Sequence, residues 1–225
     1  MHILIVAATP YEIAPTLQLL ESDRRYASVE TLVTGVGISA TVFGLTHCLL
    51  LRDRPDFVIN AGVAGVYGDH FELGAVVHVI SEQYGDLGAR DRDGRFMDVF
   101  ELGLQSPHQF PYREGRLVNP DAARFGFLPS AHGNTVHTVH GSADCIADTL
   151  AKYPEVQVES MEGAAVFEVC NRLQQPFVEV RSISNRVEPR NRDAWQLGSA
   201  IDALNEVLAH MLDTLLDSST ARRIR

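Results

Sequence analysis

Short apolar runs rich in β-branched residues alternate along this chain with longer stretches whose apolar residues recur at helical spacing. That alternation is the pattern of an α/β domain, and it constrains the fold more than any other feature. Strands are expected near 2–8, 28–34, 56–61, 74–82, 134–140, 155–160 and 177–184. Several are too uniformly apolar for either face to meet water, so they belong inside a sheet covered on both sides. Ile38, Val42, Leu45 and Leu49 form one helical stripe, and Ile201, Leu204, Leu208, Met211 and Leu215 form another in the last helix. Residues 1–216 are expected to make one domain, followed by a flexible C-terminal tail at 217–225 that carries three arginines.

Charge and composition narrow the function classes. The 19 Lys and Arg residues against 29 Asp and Glu give a net charge of −10, which excludes a basic nucleic-acid footprint and repels acidic membranes. Hydrophobic residues at 45% and charged residues at 21% are ordinary globular values, so a sizeable core is expected. Cys48, Cys145 and Cys170 are odd in number and widely spaced, which suggests reduced thiols in a cytoplasmic protein and neither a disulfide framework nor a zinc cage. The start, Met1-His2-Ile3-Leu4, lacks the basic flank of a secretory signal, and no apolar run approaches the roughly 20 residues that span a bilayer.

Candidate chemistry gathers where strands end. Gly35-Val36-Gly37-Ile38-Ser39-Ala40 has the form of a dinucleotide fingerprint but follows the second strand, with no ribose-binding acid after the next one. It is better read as a tight turn presenting backbone amides to a small anion at a helix N-terminus. Asn60-Ala61-Gly62-Val63-Ala64-Gly65 is expected to be a second glycine turn at the carboxyl edge of the sheet, and neither turn has a P-loop ending. Thr9-Pro10-Tyr11-Glu12 reads as a helix start, with Thr9 as cap and Pro10 in the first turn. Glu12 is then either a capping residue or a carboxylate facing the same crevice. Glu162, in Ser160-Met161-Glu162-Gly163-Ala164-Ala165, has the same two readings in the first turn of its helix. His137 and His140 would point to opposite faces of their strand, so no metal site is expected from them. The Gly-rich, charge-rich stretch 84–116 breaks the alternation and is expected to be a mobile loop.

Taken in order, these segments resemble the nucleosidase and phosphorylase family that cleaves purine N-ribosyl bonds. The most specific elements are Glu159-Ser160-Met161-Glu162-Gly163-Ala164-Ala165, similar to the family's ribose segment, and Arg181-Ser182-Ile183-Ser184-Asn185, similar to its base-reading strand end. The resemblance implies a three-layer α/β/α fold with a mixed, mostly parallel central sheet. It implies water-holding Glu12, ribose-binding Glu162, Met161 packed on the sugar, and substrate contacts from Ser160 and the Gly62 turn. It also implies that no metal or organic cofactor is needed, that the partner is a small purine nucleoside, and that the chain forms a homo-oligomer. No arginine precedes Arg24, whereas phosphorylases of the family hold phosphate with arginines, so water is the expected nucleophile.

Asn185 stands where methylthioadenosine nucleosidases hold an acid. A 6-aminopurine protonated at N7 shows two donors on that edge and suits a carboxylate. A 6-oxopurine shows one donor and one acceptor, which match an amide. Since discrimination is made near the transition state, Asn185 predicts hypoxanthine as the leaving group. Ser184-Asn185-Arg186-Val187-Glu188-Pro189-Arg190-Asn191-Arg192 followed by Trp195 is similar to the futalosine hydrolase branch, which acts in menaquinone biosynthesis on an inosine-like nucleoside bearing a benzoate. Arg186, Arg190 or Arg192 is then expected to meet that anion. The segment Gly141-Ser142-Ala143-Asp144-Cys145 lacks an aromatic to stack on the base, and the 96–112 region is expected to supply one. Methylthioadenosine nucleosidase, purine nucleoside phosphorylase and non-catalytic nucleoside binding stay open as alternatives.

Overall fold

The computed structural model describes residues 1–217, with Phe125 given by its backbone alone. The uniformly apolar runs become central strands, and β1 (Ile3–Ala7) is buried along its whole length. It pairs in parallel with β2 (Val29–Val33) on one side and β3 (Phe57–Val66) on the other. β3 also pairs in parallel with β11 (Phe177–Arg186), and β4 (Val76–Glu82) runs antiparallel to β11. β9 (Ser130–Thr135) is parallel to β4 and to β10 (Val158–Ser160), and β10 returns antiparallel to the end of β3. Thus β3, β11, β4, β9 and β10 close into a ring at one end of a mixed sheet.

Helices cover both faces. Leu4, Val6 and Val58 pack on the side of α2 (Ile38–Leu51) and α4 (Gly163–Leu173). Ile3, Ile5, Ile59, Val178 and Val180 face α5 (Leu197–Leu216), with α1 (Ala14–Ser22) beside it. The two stripes behave as their spacing predicts, because Leu45 and Leu49 of α2 are buried, as are Ile201, Leu204, Leu208, Met211 and Leu215 of α5. Alternate residues of one strand therefore enter different cores. Val178 and Val180 of β11 go to α5, which turns Glu179 and Arg181 to the opposite face.

Four expectations need correction. The run 60–65 is no turn but the second half of β3, since its backbone stays paired with β11 through Val66. The strand expected at 134–140 lies at 130–135. Gly133 is a poor strand former, yet a Cβ there would overlap the Glu82 carboxylate, so the buried acid selects glycine in that strand. The residues from Pro10 to Ile13 form turns, and α1 starts at Ala14. Finally, 84–116 carries local structure, with β5 (Gly88–Arg90) paired to β6 (Phe96–Asp98) and β7 (Tyr112–Arg113) paired to β8 (Arg116–Val118). The tail expected at 217–225 lies, beyond Asp217, outside the described residues. Among the described residues no helix is long and apolar enough to cross a membrane, and Cys48, Cys145 and Cys170 are free.

Phe167 of α4 and Phe177 of β11 meet edge to face, with centroids 4.7 Å apart at 78°, and both are fully buried. Phe167→Ala is expected to cost about 3–5 kcal/mol through lost transfer energy and a residual cavity, read from the urea denaturation midpoint.

Candidate active site

Glu12 follows the carboxyl end of β1 and turns back into the protein. Its Oε2 accepts hydrogen bonds from the Thr9 backbone N–H at 3.1 Å and the Thr9 hydroxyl at 2.8 Å. The reach-back of a capping box is therefore present, although no helix starts at Thr9. Its Oε1 accepts from the Val63 N–H at 3.2 Å, so Glu12 caps no helix and instead ties the turn after β1 to β3.

Glu162 is the residue before α4, yet its side chain does not cap that helix. Instead Oε1 accepts the Gly37 N–H at 2.9 Å, at the N-terminus of α2. The anion expected at the Gly35–Ala40 turn is thus one of the chain's own carboxylates. Gly35 and Gly37 have φ of 88° and 93°, a region that side chains with a Cβ avoid. Burial pushes the Glu162 carboxyl above the ordinary value of 4.5. Arg181 and the Gly37 N–H oppose the shift, while Glu12 and Glu179 add to it. Ser160 closes the same turn, its hydroxyl accepting the Gly163 N–H at 3.2 Å, and Met161 beside it is half-buried.

Arg181 joins these pieces. It is fully buried, its Nε donates to Glu179 Oε1 at 2.7 Å, and its Nη1 lies 4.0 Å from Glu162 Oε2. Burial alone would favour the neutral guanidine, but Glu179 and Glu162 hold it charged, above its usual value. Register explains how so large a side chain fits. Arg181 lies opposite Gly62 in the β3–β11 pair, and a Cβ on Gly62 would overlap Arg181 Nη1 and come within 2.9 Å of Glu12 Oε1. Gly62 thus brings Glu12 and Arg181 together by having no side chain. Arg181 and Glu179 were not singled out from sequence as site residues. The signal was there, two opposite charges two apart in a buried strand, which must share a face and find each other.

Asn185 sits four residues further along β11, past a bulge between Ile183 and Asn185 that sets it opposite Gly65. A Cβ on Gly65 would come within 3.1 Å of Asn185 Nδ2. The Asn185 Oδ1 accepts from the Ser184 hydroxyl at 2.8 Å and Nδ2 donates to the Arg186 carbonyl at 3.0 Å. With Gly65, Glu159, His140, Arg190 and Trp195 it lines a cavity of about 60 Å³. Trp195 is thus an aromatic that lines the same cavity as Asn185. Arg190 and Arg192 lie over the Trp195 ring, 5.7 and 6.0 Å from its centre, whereas Arg186 pairs with Asp69 at 2.9 Å. His140 lies beyond β9, so the opposite-face argument does not apply to it. Its Nδ1 pairs with Glu159, which also accepts the Tyr67 hydroxyl at 2.5 Å. Burial, with Glu159 second, holds that phenol protonated.

The arrangement is a set of carboxylates around one guanidinium, with the Asn185 amide four residues further along β11. The family model of the phosphorylase superfamily matches residues 2–217. Over 190 residues the chain is 32% identical to the futalosine hydrolase of Streptomyces coelicolor, covering 83% of this chain and 79% of the relative. It is 33% identical over 190 residues to that of Acidothermus cellulolyticus, covering 83% and 76%. The fold superposes on a 5′-methylthioadenosine/S-adenosylhomocysteine nucleosidase from Neisseria meningitidis, solved with methylthio-immucillin-A, at a TM-score of 0.77 and 20% identity, covering 95% of this chain and 99% of that one. The fold is thus that of a known architecture, and the chain belongs to the phosphorylase superfamily.

Proposed function

We propose that the protein is an N-ribosyl hydrolase that cleaves futalosine, releasing hypoxanthine and dehypoxanthine futalosine. Asn185 carries this reading, as an amide in the cavity at the end of β11 suits a 6-oxopurine edge at the transition state. The futalosine hydrolases at 32% and 33% identity support it. Glu12 orients water and takes its proton as the oxygen bonds to C1′. Glu162 accepts the ribose hydroxyls, and Met161 packs on the sugar, with Ser160 and Gly62 shaping the site. The C1′–N9 electron pair leaves with the purine, which takes a proton at N7 from solvent and presents its N7–H and O6 edge to Asn185. Positive charge developing on the ribose is stabilised by buried carboxylates, which act more strongly there than in water. Neither metal nor organic cofactor enters this scheme. The homo-oligomer belongs to the same reading, supported by the apolar Phe43, Leu50 and Leu51 that α2 leaves exposed. So does a cytoplasmic location, supported by the free cysteines.

The deciding experiment offers futalosine, inosine and methylthioadenosine with and without phosphate and identifies the products. Hypoxanthine from the first two, independent of phosphate, is expected. Preferential adenine release would make the chain a methylthioadenosine nucleosidase, ribose 1-phosphate a phosphorylase, and tight binding without products a nucleoside-binding protein. Glu12→Gln is expected to lower kcat by about 10²–10⁴-fold with a much smaller change in KM. Wild-type turnover by that variant would remove Glu12 from the mechanism.

Arg190 and Arg192, held over Trp195 and free of the carboxylate that occupies Arg186, are the better contacts for a substrate benzoate. Replacing both by Ala is expected to raise KM for futalosine by roughly tenfold or more and to leave inosine nearly unaffected. Equal effects on the two substrates would place the anion elsewhere.

A further inference from the structure

The direct partner of the buried guanidinium is not an acid assigned to the chemistry. Arg181 Nε bonds Glu179 at 2.7 Å, while Glu162 Oε2 stays 4.0 Å from Nη1, beyond hydrogen-bonding range. Glu179 is fully buried, and its Oε2 has no partner. Next to it lies Glu82 of β4, also fully buried, wedged where a Cβ on either Gly133 or Gly163 would strike its carboxyl group. The same Cβ on Gly163 would come within 2.7 Å of Glu179 Oε1. Glu82 Oε2 accepts the Thr135 hydroxyl at 2.9 Å. Burial first, and Glu179 second, raise the Glu82 carboxyl well above the ordinary range.

A free arginine in this cluster would close on the nearest ionised carboxylate, and Glu162 and Glu12 are both within its field. Such a contact would occupy the lone pairs needed for ribose and water. It would also lower the proton affinity of a carboxylate that has to accept a proton. We propose that Glu179 is a positioning residue for this reaction: by holding Arg181 at Nε it keeps the guanidinium from closing on Glu162 and Glu12. The inference rests on the reading of Glu12 as the group that activates water. The charged groups facing Glu162 are Arg181 and Glu179 of β11 and Glu12 before α1, with the Gly37 N–H of α2. The titratable groups facing Glu179 are Arg181, Glu82 and Glu162.

The test uses the full chain with Glu179→Gln and Glu179→Asp, following base release from futalosine across pH. Removing the Glu179 charge takes away one group that raises Glu162 and frees Arg181, which lowers it, so the two effects have the same sign. For Glu179→Gln we expect a loss of at least tenfold in kcat, a KM raised by about threefold or more as the ribose contact is lost, and an acid limb of kcat/KM displaced to lower pH. Glu179→Asp, with the charge kept on a shorter arm, should recover part of kcat and bring the limb back toward wild type. Should Glu179→Gln fail to fold, Glu179→Asp is read alone, and its limb must still lie below that of the wild type. A folded variant whose limb coincides with the wild type overturns the proposal, whether or not kcat falls, because a purely structural role lowers activity without moving the limb. A wild type that releases no base from any nucleoside is a different result, and removes the nucleosidase reading itself.

Discussion

A guanidinium removed from water needs fixed carboxylates, and the arrangement around Arg181 follows from that need. Leaving such a charge without its partner costs about 3–5 kcal/mol, comparable to a large share of a domain's stability. Glu179 supplies the direct bond, and Glu162 and Glu12 supply the field. Space for the group is made by omission: Gly62 lies opposite Arg181 in the β3–β11 register, Gly65 lies opposite Asn185, and Gly133 and Gly163 make room for Glu82. These glycines serve close approach of side chains rather than unusual backbone angles, as φ is positive at none of them.

The bulge between Ile183 and Asn185 has a comparable consequence at the other end of the site. It shifts the β3–β11 register by one residue, so that Asn185 rather than Ser184 lies across from Gly65. Past it, the backbone turns into the segment that carries Arg190, Arg192 and Trp195. The Arg190 N–H bonds the Gly141 carbonyl at 3.1 Å, which ties that segment to the loop after β9.

Much of the fold was legible. Buried parallel strands and amphipathic helices announce themselves by uninterrupted apolar runs and a 3.6-residue period, so β1, β2, β4 and β11, and the stripes of α2 and α5, lie where their patterns put them. The failures share a cause. At 60–65 and 130–135 the chain keeps glycine and asparagine in strands, against local preference, because side chains from distant segments need that space. At Thr9 the reach-back of a carboxylate was read correctly and its helix placed too early, since the same hydrogen bonds also stabilise a turn.

What the sequence determined by itself is the class of the molecule: an acidic α/β chain with carboxylates at its strand ends and an amide at the end of the last strand. These properties reside in residue type and short-range period, which do not depend on what lies across the sheet. Tertiary structure alone decided that Glu162 would bond the N-terminus of α2 and not of its own helix, that Arg181 would lie over Gly62 between Glu12 and Glu162, and that Trp195 would line the cavity with Asn185. Each is a contact between residues far apart in the chain, fixed by strand register and by the absence of a Cβ on a neighbouring strand. Neither quantity is encoded in the local pattern of the residues that depend on it.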